Sequence, residues 1–242
     1  MKNIFKVLII AMAGAIIGGC GGQQKTVTGE KISDKELTSQ SDAKKAALLK
    51  QLDKKYADAK THYELGKLYH SEGQWDKAEW EYNKALAFDP MLHDAQAAMV
   101  KLLADKGDKQ KSEVIADMYI SQASVSAKHS LLLGRAFQER GLDEYALTSY
   151  LRAHSLAPNS VVINKQLGNF YLMKGDKASA EIYLRRAFEL DPYQPDVAGQ
   201  LGKLGVQVEI PKKQPKELKN LDKMKEKEGA AGANGTGEEE LK

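Results

Sequence analysis

An all-α fold of stacked antiparallel helical hairpins is what this sequence predicts, and three observations predict it. A five-residue signature returns at a fixed spacing. The small and aromatic residues that follow it keep the same offsets each time. Glycine and proline fall where each helix has to stop.

The signature is Leu65-Gly66-Lys67-Leu68-Tyr69, then Leu133-Gly134-Arg135-Ala136-Phe137, then Leu167-Gly168-Asn169-Phe170-Tyr171. The first two glycines lie 68 residues apart and the next two 34 apart, so a degenerate unit is expected in the first gap. Gly66 is followed by Gly73, Ala78, Tyr82, Ala85 and Pro90, and Gly134 by Gly141, Ala146, Tyr150, Ala153 and Pro158. Behind Gly168 the same offsets hold Gly175, Ala180, Leu184, Ala187 and Pro192. Gly66, Ala78 and Ala85 are small enough for two helices and the next hairpin to approach closely, while Tyr69 and Tyr82 fill the space between hairpins. Gly73 ends the first helix, where a left-handed residue is cheap only for glycine. Pro90 stops the second helix, because its ring cannot continue the hydrogen-bond ladder.

This pattern resembles the tetratricopeptide repeat family, in which a helix–turn–helix returns every ~34 residues. The resemblance implies a right-handed superhelix, an α-solenoid of about four hairpins. In this register the units span 59–92, 93–126, 127–160 and 161–194. The second is the weak one. Met99, Val100 and Leu103 replace Leu, Gly and the aromatic, Ser112 and Ala116 replace Ala and the aromatic, and no proline closes it, although Gly107 keeps the turn. Leu201-Gly202-Lys203-Leu204 restarts the signature and then stops, which predicts a cap helix over about Pro195 to Leu204 within 195–210. Arrays need such a cap because the end hairpin otherwise exposes an apolar face. Ahead of the first unit, Ala46, Leu49 and Leu52 lie at helical spacing and predict a helical segment within 42–58 that covers the first hairpin.

The two ends read differently. Residues 1–19 begin with Lys2 and Lys6, continue with an apolar run from Val7 to Ile17 and close on Gly18-Gly19, the layout of a secretory signal. The run is shorter than the ~20 residues that span a bilayer. Ile17-Gly18-Gly19-Cys20 resembles the bacterial lipobox, which implies cleavage before Cys20 and acylation of its thiol. Acyl chains contribute about 0.8 kcal/mol per buried CH₂, so several of them anchor a protein stably. The alternative is an ordinary secretory signal followed by a lone cysteine, the only one in the chain. Loss of the signal would lower the formal charge from +3 to about +1. Residues 20–41 are polar and read as a tether, and 211–242, lysine-rich and then Gly/Ala-rich, as a disordered tail. The absence of Asp beside Cys20 favours an outer-membrane destination facing the periplasm.

No catalytic constellation is legible, so an enzyme is not expected. The five histidines are spread over three units without metal-pair spacing, no phosphate loop is present, and the near-neutral mature charge gives no reason to expect nucleic acid. No cofactor, metal or small-molecule substrate is expected either. By the resemblance, positions 2, 5, 9 and 12 of each unit line the concave face. The candidate partner-binding residues there are Lys60, Tyr63, Lys67, Lys101, Lys128, Leu131, Arg135, Lys165, Asn169 and, from the cap, Lys203, with Leu172 as a further apolar contact. Position 9 forms a ladder from Lys67 through Lys101, Arg135 and Asn169 to Lys203. One sign of charge along a concave surface focuses the field, so an acidic or C-terminal segment of a partner protein is the expected occupant. Plain solvation of exposed helices would produce the same residues. The function expected is a membrane-anchored scaffold that assists an envelope assembly such as a pilus or secretion system, since the layout resembles outer-membrane tetratricopeptide lipoproteins including pilotins. An adaptor for cell-wall hydrolases or synthases and a self-associating structural lipoprotein are the alternatives.

Overall fold

The computed structural model describes residues 34–211, with side chains from Gln40 onward. The signal segment, Cys20, most of the tether and nearly all of the tail therefore lie outside the described residues. Two compact units divide the chain, 1–40 and 41–242. Of the first, only the opening of one helix is described, and the array belongs to the second.

Among the described residues there are ten helices and no strand. They are α1 (Asp34–Lys54), α2 (Ala59–Ser71), α3 (Trp75–Phe88), α4 (His93–Asp105), α5 (Lys109–Ala123), α6 (Ala127–Glu139), α7 (Asp143–Leu156), α8 (Val161–Met173), α9 (Lys177–Leu190) and α10 (Pro195–Lys203). From α2 to α9 they pair as antiparallel hairpins, and the first helices α2, α4 and α6 also pack on one another. Local chemistry sets their ends. The side chains of Asp58, Asp108, Ser126, Ser160 and Asp176 each accept the backbone N–H three residues on, which satisfies a donor that no helix can reach. Each hairpin turn carries one left-handed glycine, Gly73, Gly107, Gly141 or Gly175, at φ between 69° and 91°.

The close approach inside the hairpins has a specific geometry. A Cβ at Gly66 or Gly134 would lie 2.6 Å from the ring of Tyr82 or Tyr150, and at Gly168 2.6 Å from Leu184 Cγ. In the second unit the sizes are exchanged: Val100 and Ala116, both fully buried, occupy the two equivalent places. Ser112 Oγ donates to the Val100 carbonyl at 2.9 Å and so closes that hairpin with a hydrogen bond. The degenerate unit is a complementary repacking of the same contact, and its two helices pack less intimately than those of the other hairpins.

A second repeating feature lies at position 4 of each unit. His62, Gln96, Ser130 and Asn164 are all buried, and each bonds a carbonyl at or just after the end of the preceding helix. The acceptors are Tyr56 O at 2.8 Å, Pro90 O at 2.7 Å, Ala123 O at 3.1 Å and Pro158 O at 2.8 Å. These bonds satisfy carbonyls at or just beyond a helix C-terminus, which no intrahelical donor reaches. Nothing in the spacing of apolar residues announced them.

At the second junction the network is longer and directional. Gln96 Nε2 donates to Pro90 O, so its Oε1 faces His93 Nδ1 at 2.8 Å and accepts from it. His93 Nε2 is then the acceptor for His129 Nδ1 at 3.0 Å. Burial, reinforced by His129 and opposed by Gln96, Asp89 and Asp94, holds His93 below the ordinary imidazole value of 6.5. A histidine with a depressed folded pKa stabilises fully above its unfolded value and loses that contribution as pH falls. The melting temperature is therefore expected to drop between pH 7 and pH 5, and His93→Gln to flatten that slope in calorimetric scans. An equal slope in wild type and variant would contradict the assignment.

The ends of the array are covered. Leu48 and Leu52 of α1 pack on Leu65 with Leu68 and Tyr69, whereas Ala46 and Leu49 are exposed, so the covering face keeps Leu52 of the expected residues and takes Leu48 in place of Leu49. The helix also begins at Asp34, inside the segment expected to be a tether. Lys35, Glu36, Leu37 and Gln40 are good helix formers that extend a helix once its far end is docked. At the other end Val197 and Leu201 of α10 pack on Leu184 and Ala187. The helix stops at Lys203, because Gly205 turns left-handed at φ 85° and the Val206 N–H returns to Leu201 O at 2.9 Å. Residues 206–211 follow it without regular secondary structure, with Val206 and Val208 on the same apolar cluster.

Candidate binding groove

The first helices line one face of the array, and a cavity of about 460 Å³ opens there between α2, α4 and α6. Its floor is Tyr63, Tyr82 and Ala98, and its rim carries Lys67, His70, Lys101, Asp105, Glu139 and Arg140. Tyr63 and Tyr82 lie with ring centroids 6.2 Å apart, and Lys67 Nζ sits 5.1 Å from the Tyr63 ring centre. Burial pushes the Tyr63 phenol up, against the opposing pull of Arg140 and Lys67.

The structure divides the basic ladder. Lys67 is bonded by Glu64 at 3.1 Å, and Lys101 by Asp105 at 2.6 Å, a carboxylate that also meets His70 Nε2 at 3.1 Å. Lys165 pairs with Asp196 at 2.9 Å and holds that carboxyl below its ordinary value. Asn169 is occupied too, accepting from Gln200 at 2.7 Å. Lys60, Lys128, Arg135 and Lys203 have no ion pair among the described residues, and of these Arg135 is the half-buried one. Leu131 corrects the sequence expectation: at 9% exposure it is part of the core and offers a partner little surface. Leu172 is half-buried against the cap cluster. Only Tyr63, Lys67 and Lys101 of the expected residues meet in the cavity.

Six lining residues were not anticipated: Ser71, Tyr82, Ala98, Asp105, Glu139 and Arg140. Arg140 is the most informative. Its Nη2 donates to the Tyr63 hydroxyl at 2.6 Å, a contact across 77 residues that joins the third unit to the first over the second. The guanidinium also reaches Asp94 at 3.4 Å and the Ala136 carbonyl at 2.7 Å. Arg140 follows α6 directly, two residues beyond the last of the four positions taken to line the face, so the pattern passed over it.

Among the described residues no group of three or more His, Cys, Asp and Glu is placed to hold a metal ion. The His62–Glu81 pair, 2.7 Å apart, is buried beneath Tyr56, Trp80 and Phe88 and presents no face to a substrate. Burial raises the Glu81 carboxyl and His62 opposes that rise. No described helix is long and apolar enough to cross a membrane.

The sequence profile described as tetratricopeptide repeat matches residues 59–90 and 166–194. These segments are tetratricopeptide repeats. The human protein O-mannosyl-transferase TMTC1 is 25% identical to the array over 125 residues, which cover 52% of this chain and 14% of that protein. This chain thus aligns with a small fraction of that relative's length, and the transferase activity is a property of that protein. Solved tetratricopeptide structures of similar fold include MamA, 22% identical, with a TM-score of 0.37 over 67% of this chain and 95% of that one. A Pseudomonas aeruginosa pilF structure is 24% identical, with a TM-score of 0.36 over 60% of this chain and 67% of that chain. YrrB, described as a tetratricopeptide protein with an unusual peptide-binding site, is 20% identical, with a TM-score of 0.36 over 65% and 81%. At these identities the likeness is one of fold. A tetratricopeptide fold implies a protein–protein interaction scaffold.

Proposed function

We propose that the array is tethered to a bacterial envelope membrane through Cys20 and holds an extended segment of a partner protein along its first-helix face. The observation that carries this reading is the cavity between α2, α4 and α6. It is an open site with an aromatic floor and a rim of charged groups, lined by three successive units. Tyrosine supplies apolar contact at little cost in side-chain entropy, and the rim fixes orientation. The partner segment is acidic, and the work it supports is assembly of an envelope complex such as a pilus or secretion system, with the lipid end at the outer membrane.

A photoreactive amino acid at Lys101, inside the cavity, is expected to crosslink one predominant protein in intact cells, whereas the same group at Lys177 on α9 gives none. Equal labelling from both positions would count against a specific groove. Arg135→Glu reverses a half-buried groove charge that has no ion pair among the described residues, so it is expected to weaken partner capture at least tenfold with an unchanged thermal melt. The identity of the crosslinked protein separates a pilus or secretion component from a wall hydrolase or synthase.

A further inference from the structure

Arg140 closes the third unit's first helix, and the same position in the neighbouring units is also basic: Lys106 and Lys174. Both of those reach back to the second helix of the preceding unit. Lys106 bonds Asp76 at 2.8 Å and Glu79 at 3.3 Å, and Lys174 bonds Asp143. The places in the second unit equivalent to Asp143 and Asp76 hold Lys109 and Gln110. Lys109 repels a guanidinium where its neighbours find a carboxylate. Only Glu113, one turn further along α5, keeps an acid there, and Arg140 makes no bond to it among the described residues. Denied the outer pairing, Arg140 turns to the inner face and meets Tyr63.

That contact leaves two unspent donors side by side. The Tyr63 oxygen accepts from Arg140 Nη2, so its own O–H points elsewhere, and it donates no hydrogen bond among the described residues. Guanidinium has five N–H groups in a planar fork, suited to two-point recognition of a carboxylate. Here it makes one short bond to a neutral hydroxyl, one to a helix-end carbonyl and one long contact to Asp94, whose carboxylate is half exposed. The other cations at the cavity, Lys67 and Lys101, already hold Glu64 and Asp105.

We infer that Arg140 and the Tyr63 hydroxyl form a carboxylate-reading pair, which accepts an internal Asp or Glu side chain of the bound segment. This rests on the proposal that the groove binds a peptide segment. The carboxylate displaces the long contact to Asp94, takes N–H bonds from Arg140 and the O–H of Tyr63, and seats the flanking residues on the aromatic floor. An internal residue is the occupant because α8 and α10 extend the same face beyond the cavity, so a segment lying along it passes over the pair and does not end there.

The test uses detergent-solubilised full chain and three degenerate decapeptide pools. One is amidated with a fixed central Glu, one is amidated with a central Gln, and one has a central Gln and a free C-terminal carboxylate. Retention is quantified by mass spectrometry. Wild type is expected to retain the Glu pool about tenfold over the amidated Gln pool, the scale of one charge-assisted hydrogen bond. Arg140→Gln should reduce that ratio to about one by removing the same bond. So should Lys109→Asp, an exposed substitution that restores the outer pairing and leaves Arg140 in place. Lys177→Gln, a charge loss outside the groove, should leave the ratio unchanged, and a thermal melt checks folding of each variant. A Glu preference that survives Arg140→Gln overturns the inference, as does stronger retention of the free-carboxylate pool. Equal retention of the two amidated pools by wild type overturns the inference and leaves the groove standing. Retention of no pool overturns the groove itself.

Discussion

Gly134→Val is expected to lower stability by about 3 kcal/mol, at the upper end of what overpacking of a core costs. The added Cβ alone would lie 2.6 Å from two atoms of the Tyr150 ring and 3.2 Å from the Ala146 carbonyl, so helix and ring must both move. Tyr150→Ala alone is also damaging. It opens a cavity in place of a fully buried ring that donates to Gln138 at 2.6 Å, with a cost of about 3–5 kcal/mol for loss of a large side chain. The combination reproduces the Val100 and Ala116 pairing that the second unit already uses. The double variant should therefore be more stable than the sum of the single losses predicts, by about 1–3 kcal/mol of coupling. Chemical denaturation of the four proteins measures this. Strict additivity would mean that the size exchange in the second unit is coincidental.

Leu201→Asp is expected to unfold one end of the molecule before the other. Leu201 is fully buried on Leu184, Ala187 and Val197, so the variant loses its packing and places a carboxylate where no partner waits. Truncation of such a leucine costs about 2–5 kcal/mol, and an unpaired buried charge adds to it. Stacked repeats contact only near neighbours, so the loss is confined to the adjacent units. Hydrogen exchange should accelerate through α8, α9 and α10 while α2 to α5 keep their protection. Uniform acceleration from α2 to α10 would show an array that unfolds as one cooperative body.

The fold was readable because it rests on covalent shape. Leu, Gly and aromatic residues at fixed offsets report where two helices touch, and Gly73 or Gly141 report where the chain must turn left-handed. These constraints are local to the sequence. The α1 face was misread at Leu49 because polar stretches leave the phase of a helix poorly marked, and Leu48 and Leu49 are equally apolar. The groove was only partly readable for a different reason. Lys67, Lys101 and Lys165 were visible as cations, but Glu64, Asp105 and Asp196, which neutralise them, occupy positions that the inward-facing pattern ignores or counts separately. Arg140 could have been found by comparing register equivalents: two lysines face acids one unit earlier, and the arginine faces Lys109.

The buried polar residue at the start of each unit has a consequence for how the chain finds its order. Repeats alike in shape are open to mispairing during folding, since one hairpin's apolar edge fits another's. Here each boundary is fastened differently. His62 is gripped by Glu81, Gln96 continues into Gln122 and the two histidines, Ser130 reaches back a single bond, and Asn164 spans two carbonyls. Most of these partners lie in the same unit or within seven residues of the buried group, whereas the His93–His129 bond runs from the second unit to the third. A third hairpin docked elsewhere would leave His93 without that partner, at about 1–3 kcal/mol. The local fasteners fix how each linker enters its own hairpin, and the histidine pair labels the junction of the second and third units, on a surface where hydrophobic packing by itself could not tell one neighbour from the next.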